Sequence, residues 1–394
     1  MKVQVLSRKL ITPSSPTPEH LQSLKISYLD QLAYALYMPR LFFYLPTTEE
    51  ERCLNTLEKS ELLQKSLSET LTLYYPLAGR YIKDKLSFEC NDQGAEYLEA
   101  QVSNCLSLSQ LLSTQDRSQL LSKWFHMLVP DPVESDAIPL VMVQLNMFEC
   151  GGLAIGVCVS HRVADGLSCF NFIETWAKFS RVGFSDMQFR PSFQLGSFFP
   201  PRDVSIPQES SAPDDKLSIK RLVFSAAATL KLETISACCT GVINSESLKY
   251  KPTRVEVVIT LIWMCLTRMS KARHGHFRTS LLSIGRHAKE EHILTSTGEF
   301  LRKFCSGSSC KIFCLMMLKL YSFTTRKGTA ASIAKASNAD EVVTWADNGN
   351  GVLEEGTYKP DIDCYLSSSW CRFSIYEADH GRGKPSWVSM ASRE

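Results

Sequence analysis

A mixed α/β fold divided into two domains is what this sequence predicts, and three observations carry the prediction. The chain has 394 residues, more than one ordinary core serves. Segments of strand and helix character follow one another from end to end, with no internal repeat. Apolar residues make up 44% and charged residues 21%, the balance of a globular chain and not of a disordered one.

Taken in order, the chain opens on a short apolar alternation at Val3 and Val5, which predicts a strand entering a loop at Pro13, Pro16 and Pro18. Glu58 to Tyr75 predicts a helix: Leu62, Leu63, Leu67, Leu71 and Tyr74 recur at helical spacing and Pro76 ends it. Short strands follow at Tyr81–Ile82 and Leu86–Cys90, parted by the turn-like Lys83-Asp84-Lys85. The clearest hairpin is Leu140–Phe148 with Leu153–Val159, turned by Cys150-Gly151-Gly152. Its second strand is almost continuously apolar, the pattern of burial on both faces, and it leads straight to His161. After Gly166 the period becomes helical, with Phe170, Phe172, Ile173, Trp176 and Phe179 on one side. The stretch from 197 onward is rich in Pro, Ser and Asp and reads as a crossover. The division is therefore 1–196, a linker at 197–219, and a second domain at 220–394. Within that domain the pattern predicts a strand at Lys220–Phe224, a helix, another helix through Val255–Leu266, and strands near Ser280–Ala288, at Tyr365–Tyr376 and at Trp387–Met390. Residues 289–350 show little periodicity.

Charge and cysteine usage exclude several classes. With 43 basic and 41 acidic residues the net charge is +2, so nothing points to nucleic acid as a partner. The 14 cysteines are scattered, Cys169, Cys238 and Cys265 within apolar stretches, and no C-x-x-C pair occurs; a metal site is not expected. The first twelve residues lack a signal-peptide core, and the most apolar runs are too short to span a bilayer. A monomer in a reducing cytoplasm, with no membrane contact, is the expectation.

The segment that carries chemistry is His161-Arg162-Val163-Ala164-Asp165-Gly166, an H-x-x-x-D-G at the exit of a buried strand. Imidazole titrates near neutrality, so a histidine fixed at a strand end can take a proton from a weak nucleophile and return it to a leaving group. The spacing alone is weak, because most isolated histidines are structural or exposed.

Other stretches stand in order around it: Ser27-Tyr28-Leu29-Asp30-Gln31, Tyr74-Tyr75-Pro76-Leu77-Ala78-Gly79-Arg80, Asn91-Asp92-Gln93-Gly94, Pro252-Thr253-Arg254-Val255-Glu256-Val257, Ser369-Trp370-Cys371-Arg372-Phe373 and Tyr376-Glu377-Ala378-Asp379. Together they resemble the plant BAHD acyltransferases, closely from about residue 5 to 288 and from 362 to 394. The Cys150-Gly151-Gly152 hairpin and Cys158-Val159-Ser160-His161 are similar to the branch that acetylates alkaloids and terpenoids. The resemblance implies a chloramphenicol acetyltransferase-like fold, two α/β domains around a tunnel, and transfer of an acyl group from acyl-CoA to an alcohol or an amine. Acyl-CoA, by preference acetyl-CoA, is a co-substrate, and no cofactor is held permanently. It makes His161 the catalytic base and gives Asp165 an arginine partner that holds the base loop. Ser368 and Trp370 match positions that donate to the oxyanion; Trp370 is equally well read as a core aromatic.

The sequence departs from the family in two places. The family's D-F-G-W-G reads Asp379-His380-Gly381-Arg382-Gly383, which keeps the aspartate and glycines that would shape a turn supporting the coenzyme A channel. It loses both aromatics, with an expected cost in packing and a gain on restoring them. After Ala288 the family's arginine partner of the H-x-x-x-D aspartate is missing, Arg286 being the nearest substitute, and 289–350 matches nothing in the family. An acyl-CoA-dependent O-acyltransferase is thus the first reading. A relative that binds acyl-CoA or a metabolite without turnover is the second.

Overall fold

The computed structural model describes residues 1–33, 36–46, 56–114, 124–131, 138–183, 191–202, 220, 222–240, 253–287, 311–316, 362–371 and 373–390. In chain order the strands are β1 (Lys2–Ile11), β2 (Ser23–Lys25), β3 (Tyr37–Tyr44), β4 (Arg80–Ile82), β5 (Ser87–Glu89), β6 (Ala95–Ser103), β7 (Val141–Phe148), β8 (Leu153–Ser160), β9 (Thr279–His287), β10 (Lys311–Met316), β11 (Ile362–Ser368) and β12 (Trp387–Met390). The long helices are α1 (Thr56–Leu73), α2 (Gly166–Val182), α3 (Ala226–Thr240) and α4 (Arg254–His274). The described residues form two compact units, one holding 1–202 and 373–390 and the other those between 220 and 371.

The first unit is built on a six-stranded sheet in the order β1-β6-β7-β8-β3-β12. β6 and β7 run parallel and the other neighbours antiparallel. Every residue of β7 and β8 is buried, because both faces of the sheet are covered. Val143, Leu145, Ile155 and Val157 pack under Leu63, Leu67 and Leu71 of α1 and Phe172, Ile173 and Trp176 of α2. Met142, Ala154 and Cys158, one residue out of phase, meet Leu108, Leu111, Phe125 and Leu128 on the opposite face. Each large side chain buried this way contributes roughly 1.5–3 kcal/mol. Gly156 belongs to that second face, and a Cβ there would run into the Leu128 carbonyl oxygen. Two of the ordered motifs are joined here. The Arg80 guanidinium donates to the Gly79 and Gly94 carbonyls at 2.8 and 2.9 Å, and Gly94 N donates to Ala78 O. β2, β5 and β4 make a separate small antiparallel sheet.

The second unit carries a three-stranded sheet, β10-β9-β11, with β9 and β11 parallel and β9 and β10 antiparallel. From Thr253 to Val257 the ordered motif proves to be the cap and first residues of α4. Thr253 Oγ1 accepts from Glu256 N at 3.3 Å and the Glu256 carboxylate accepts from Thr253 N at 2.7 Å, a reciprocal cap. Gly275, with φ at 78°, ends the helix.

Several expectations need correction. Residues 222–225 join no strand ladder; Leu222 and Val223 are exposed, and an apolar alternation without a neighbouring edge stays loop. The predicted strand at 365–376 runs instead from Ile362 to Ser368, and a single 3₁₀ turn occupies Ile375–Glu377. The second domain does not extend to residue 394. β12 returns to the edge of the first sheet, antiparallel to β3 with Trp387 opposite Phe43, so 373–390 belong with the first unit. Nor do residues 197–202 behave as a free linker. Phe199 O accepts from Tyr28 N at 2.8 Å, and the Gln31 amide bonds both N and O of Arg202. Residues 203–219, and all of 289–350 except β10, lie outside the described residues.

Candidate active site

His161 is the first residue past β8, and the sheet fixes its position. Ser160 N donates to Leu140 O at 2.9 Å, His161 N to Leu36 O at 2.8 Å, and Val163 N closes a turn onto Ser160 O at 3.3 Å. The ring is half-buried, with Nδ1 closed off from solvent. Four residues on, Asp165 is 4% exposed and forms the N-cap of α2, its Oδ1 accepting from Ser168 N at 2.8 Å. The carboxylate therefore ties the His161 loop to the helix and sits where the helix dipole favours negative charge.

Beneath this junction lies Arg40, 1% exposed, on β3. It donates from Nη1 to Met38 O at 2.8 Å, and its guanidinium lies 4.9 Å over the Phe170 ring. The buried Cys169 thiol is pushed up by burial, drawn down by Arg40 and raised by Asp165, so it senses both charges. Sequence reading missed Arg40 because one charge within the apolar run Tyr37–Tyr44 gives no periodic signal. Asp165→Ala is expected to lower stability by about 1–2 kcal/mol through loss of the cap, and Asp165→Asn, which keeps an accepting oxygen, by less. Urea melts of the two variants decide this, and an alanine variant as stable as wild type rejects the capping role.

The C-terminal signature also lies in the first unit. Asp379 Oδ1 accepts from Gly381 N at 2.9 Å and Arg382 N at 3.0 Å, and Arg181 Nη1 stands 3.3 Å from Oδ2. Gly381 and Gly383 have φ of 85° and 79°, and a Cβ on either would touch nothing, so backbone conformation is the reason for glycine. The expected loss of aromatic packing at residue 380 is not what the structure holds. The His380 ring is buried edge-on to Trp176 at 4.6 Å and to Tyr44 at 6.1 Å, and its Nδ1 is 3.1 Å from Ser180 Oγ. Imidazole replaces the aromatic in shape, and Ser180 satisfies its nitrogen. Asp165 and Ser180 are 15 residues apart on one helix, about 22 Å, which keeps this turn remote from His161.

Ser368 and Trp370 belong to the second unit, where Trp370 Nε1 donates to Ser368 Oγ at 2.9 Å. Ser368 closes β11 and is exposed, and with the indole as donor to its oxygen its own proton points elsewhere. Arg286 lies on β9, and its side chain is outside the described part.

The fold is mixed α/β in both units, and comparison with known proteins gives the class and family. The profile described as the Transferase family matches residues 1–394. Acetyl-CoA-benzylalcohol acetyltransferase of Clarkia breweri is 32% identical over 100% of this chain and 90% of its own. Stemmadenine O-acetyltransferase of Catharanthus roseus is 33% identical over 98% and 87%. The crystal structure of vinorine synthase superposes with a TM-score of 0.76 at 27% identity, covering 99% of this chain and 89% of that one. The chain belongs to the Transferase family, that of the plant BAHD acyltransferases, and is an acyl-CoA-dependent acyltransferase by class. Among the described residues no helix is long and apolar enough to cross a membrane.

Proposed function

We propose that the protein transfers an acetyl group from acetyl-CoA to a hydroxyl of a plant specialised metabolite such as an alkaloid or terpenoid, with His161 as general base. The half-buried ring at the rigid end of β8, within a whole-chain family match, carries the reading. Nδ1 is sheltered, so Nε2 is the nitrogen that meets substrate. Nε2 takes the proton of the acceptor hydroxyl as its oxygen attacks the thioester carbon. The carbonyl oxygen becomes an oxyanion, the charge that preorganised hydrogen-bond donors stabilise in such reactions. Collapse breaks the carbon–sulfur bond, and the coenzyme A thiolate leaves with the proton from the imidazolium. Asp165 orients the loop, and the Asp379-Gly381-Gly383 turn supports the fold around the coenzyme A channel. An amine in place of the alcohol follows the same steps. A cytoplasmic monomer completes the reading; a reducing compartment fits the seven free cysteines among the described residues.

Incubation with acetyl-CoA and a panel of alcohols, following release of the coenzyme A thiol and the ester by mass, tests it. Ester formation is expected. Stabilisation by coenzyme A in a thermal melt without any ester supports the non-catalytic binder instead, and neither result rejects both.

A further inference from the structure

Next to the base is a polar cluster that the chemistry above does not use. The Arg162 guanidinium lies 4.9 Å over the ring of Tyr81 on β4. Arg162 Nη1 and the Tyr81 hydroxyl are both closed off from solvent, and neither meets a hydrogen-bond partner among the described residues. No ion pair of Arg162 occurs among those residues either.

The neighbours are occupied elsewhere. Tyr37 donates to Pro139 O at 2.9 Å, and Arg80 is held by the Gly79 and Gly94 carbonyls. Burial pushes the Tyr37 phenol up, while Arg80 and, less strongly, Arg162 draw it down, so both positive charges lie near this phenol. Apolar groups complete the surroundings: the Phe88 ring lies tilted against Tyr81 at 5.3 Å, and Leu140 and Val163 pack in the same cluster. Here an N–H and an O–H are withdrawn from water, which is costly unless an acceptor meets them. Guanidinium nitrogens only donate, so the complement is a group that accepts. Arg162 follows His161 directly in the chain, in the turn that Val163 N closes onto Ser160 O.

We propose that Arg162 and Tyr81 form a subsite beside the base for a carbonyl, ester or carboxylate oxygen on a ligand of the reaction. The proposal rests on the acyl-transfer reading of this site and deepens it by naming a group that the ligand carries. Two ligands have such oxygens: an acceptor alcohol bearing an ester or acid, and the amide-containing arm of acyl-CoA. Arg162 is in either case a specificity residue and takes no part in proton transfer.

Calorimetric titration of the full-length protein tests this independently of turnover. The probes are coenzyme A, benzyl alcohol, the three positional isomers of methyl hydroxymethylbenzoate, and the corresponding acids. Arg162→Met is expected to weaken binding of at least one oxygen-bearing probe about tenfold or more. Benzyl alcohol, which has no carbonyl, ester or carboxylate oxygen, is unaffected. Tyr81→Phe weakens the same probe by a smaller factor. A loss confined to the esters or acids assigns the subsite to the acceptor, and one confined to coenzyme A assigns it to the donor. Equal affinities for every probe in wild type, Arg162→Met and Tyr81→Phe overturn the proposal, as does a wild-type protein that binds none of them. Should Arg162→Met fail to melt cooperatively, Arg162→Lys and Tyr81→Phe decide the matter by the same comparison. Failure of the acyl-transfer reading shows separately, as a wild-type protein that binds the probes and releases no coenzyme A from acetyl-CoA.

Discussion

Replacing His161 by alanine is expected to lower the rate of acyl transfer at least about 100-fold while leaving the melting temperature nearly unchanged. The position of the residue explains both halves of the result. Its backbone is tied into the sheet through the Leu36 carbonyl, and Ser160 and Val163 close the turn around it, so the loop keeps its shape without the ring. The ring is half-buried and does not fill the core, so little packing is lost. What disappears is the group proposed to accept the hydroxyl proton. The loss is therefore expected in kcat, with substrate binding retained. Undiminished turnover in a cooperatively folded His161→Ala protein removes the residue from the mechanism, and a collapse of the melt shows that its role is structural.

The second large effect is acid destabilisation through His380. Burial pushes this imidazole down to about 3 from its usual value near 6.5, and the Asp379 carboxylate opposes the shift without cancelling it. Between those two values the unfolded chain binds a proton that the folded chain refuses. Stability is therefore full above pH 6.5 and falls as pH drops below it, by up to about 1.4 kcal/mol per pH unit. From pH 7.5 to 5.0 this one residue accounts for about 2 kcal/mol. His380→Phe removes the titration and keeps the edge contacts with Trp176 and Tyr44, while Ser180 retains its bond to the Trp176 carbonyl at 2.9 Å. Near pH 7.5 the variant is expected within about 1 kcal/mol of wild type, as for other shape-conserving core changes. This replaces the sequence-based expectation that restored aromatics stabilise. Urea midpoints at pH 7.5 and 5.0 give the answer. If wild type and His380→Phe lose the same stability on acidification, His380 plays no part.

The motifs and the long elements of the first unit were legible in the sequence because their signals are local. Leu63, Leu67 and Leu71 repeat at helical spacing, and the hairpin of β7 and β8 announces itself through two apolar runs parted by Cys150-Gly151-Gly152. β3 and β6 were not read. β3 carries a proline and an arginine within an apolar run, and β6 mixes Glu96, Glu99 and Gln101 into its alternation. Their partners are supplied by β8 and by β1 and β7, distant in sequence.

For the site, the sequence by itself determined the chemistry on offer: a histidine at the end of a buried strand, an aspartate four residues on, and a glycine-bearing turn near the C-terminus. Those follow from residue type and nearest-neighbour spacing, which the chain carries wherever it folds. Only the tertiary structure decided what each side chain meets. It turned Asp165 into a helix cap, placed the buried charge of Arg40 over the Phe170 ring, and seated His380 as an aromatic against Trp176. It also returned β12 to the first sheet and set the Arg162 guanidinium over Tyr81. Burial and hydrogen-bond partners are properties of segments far apart in the chain, 334 positions where the Tyr44 hydroxyl donates to the Ala378 carbonyl. The cost of desolvating a polar group depends on those partners and not on its neighbours in sequence.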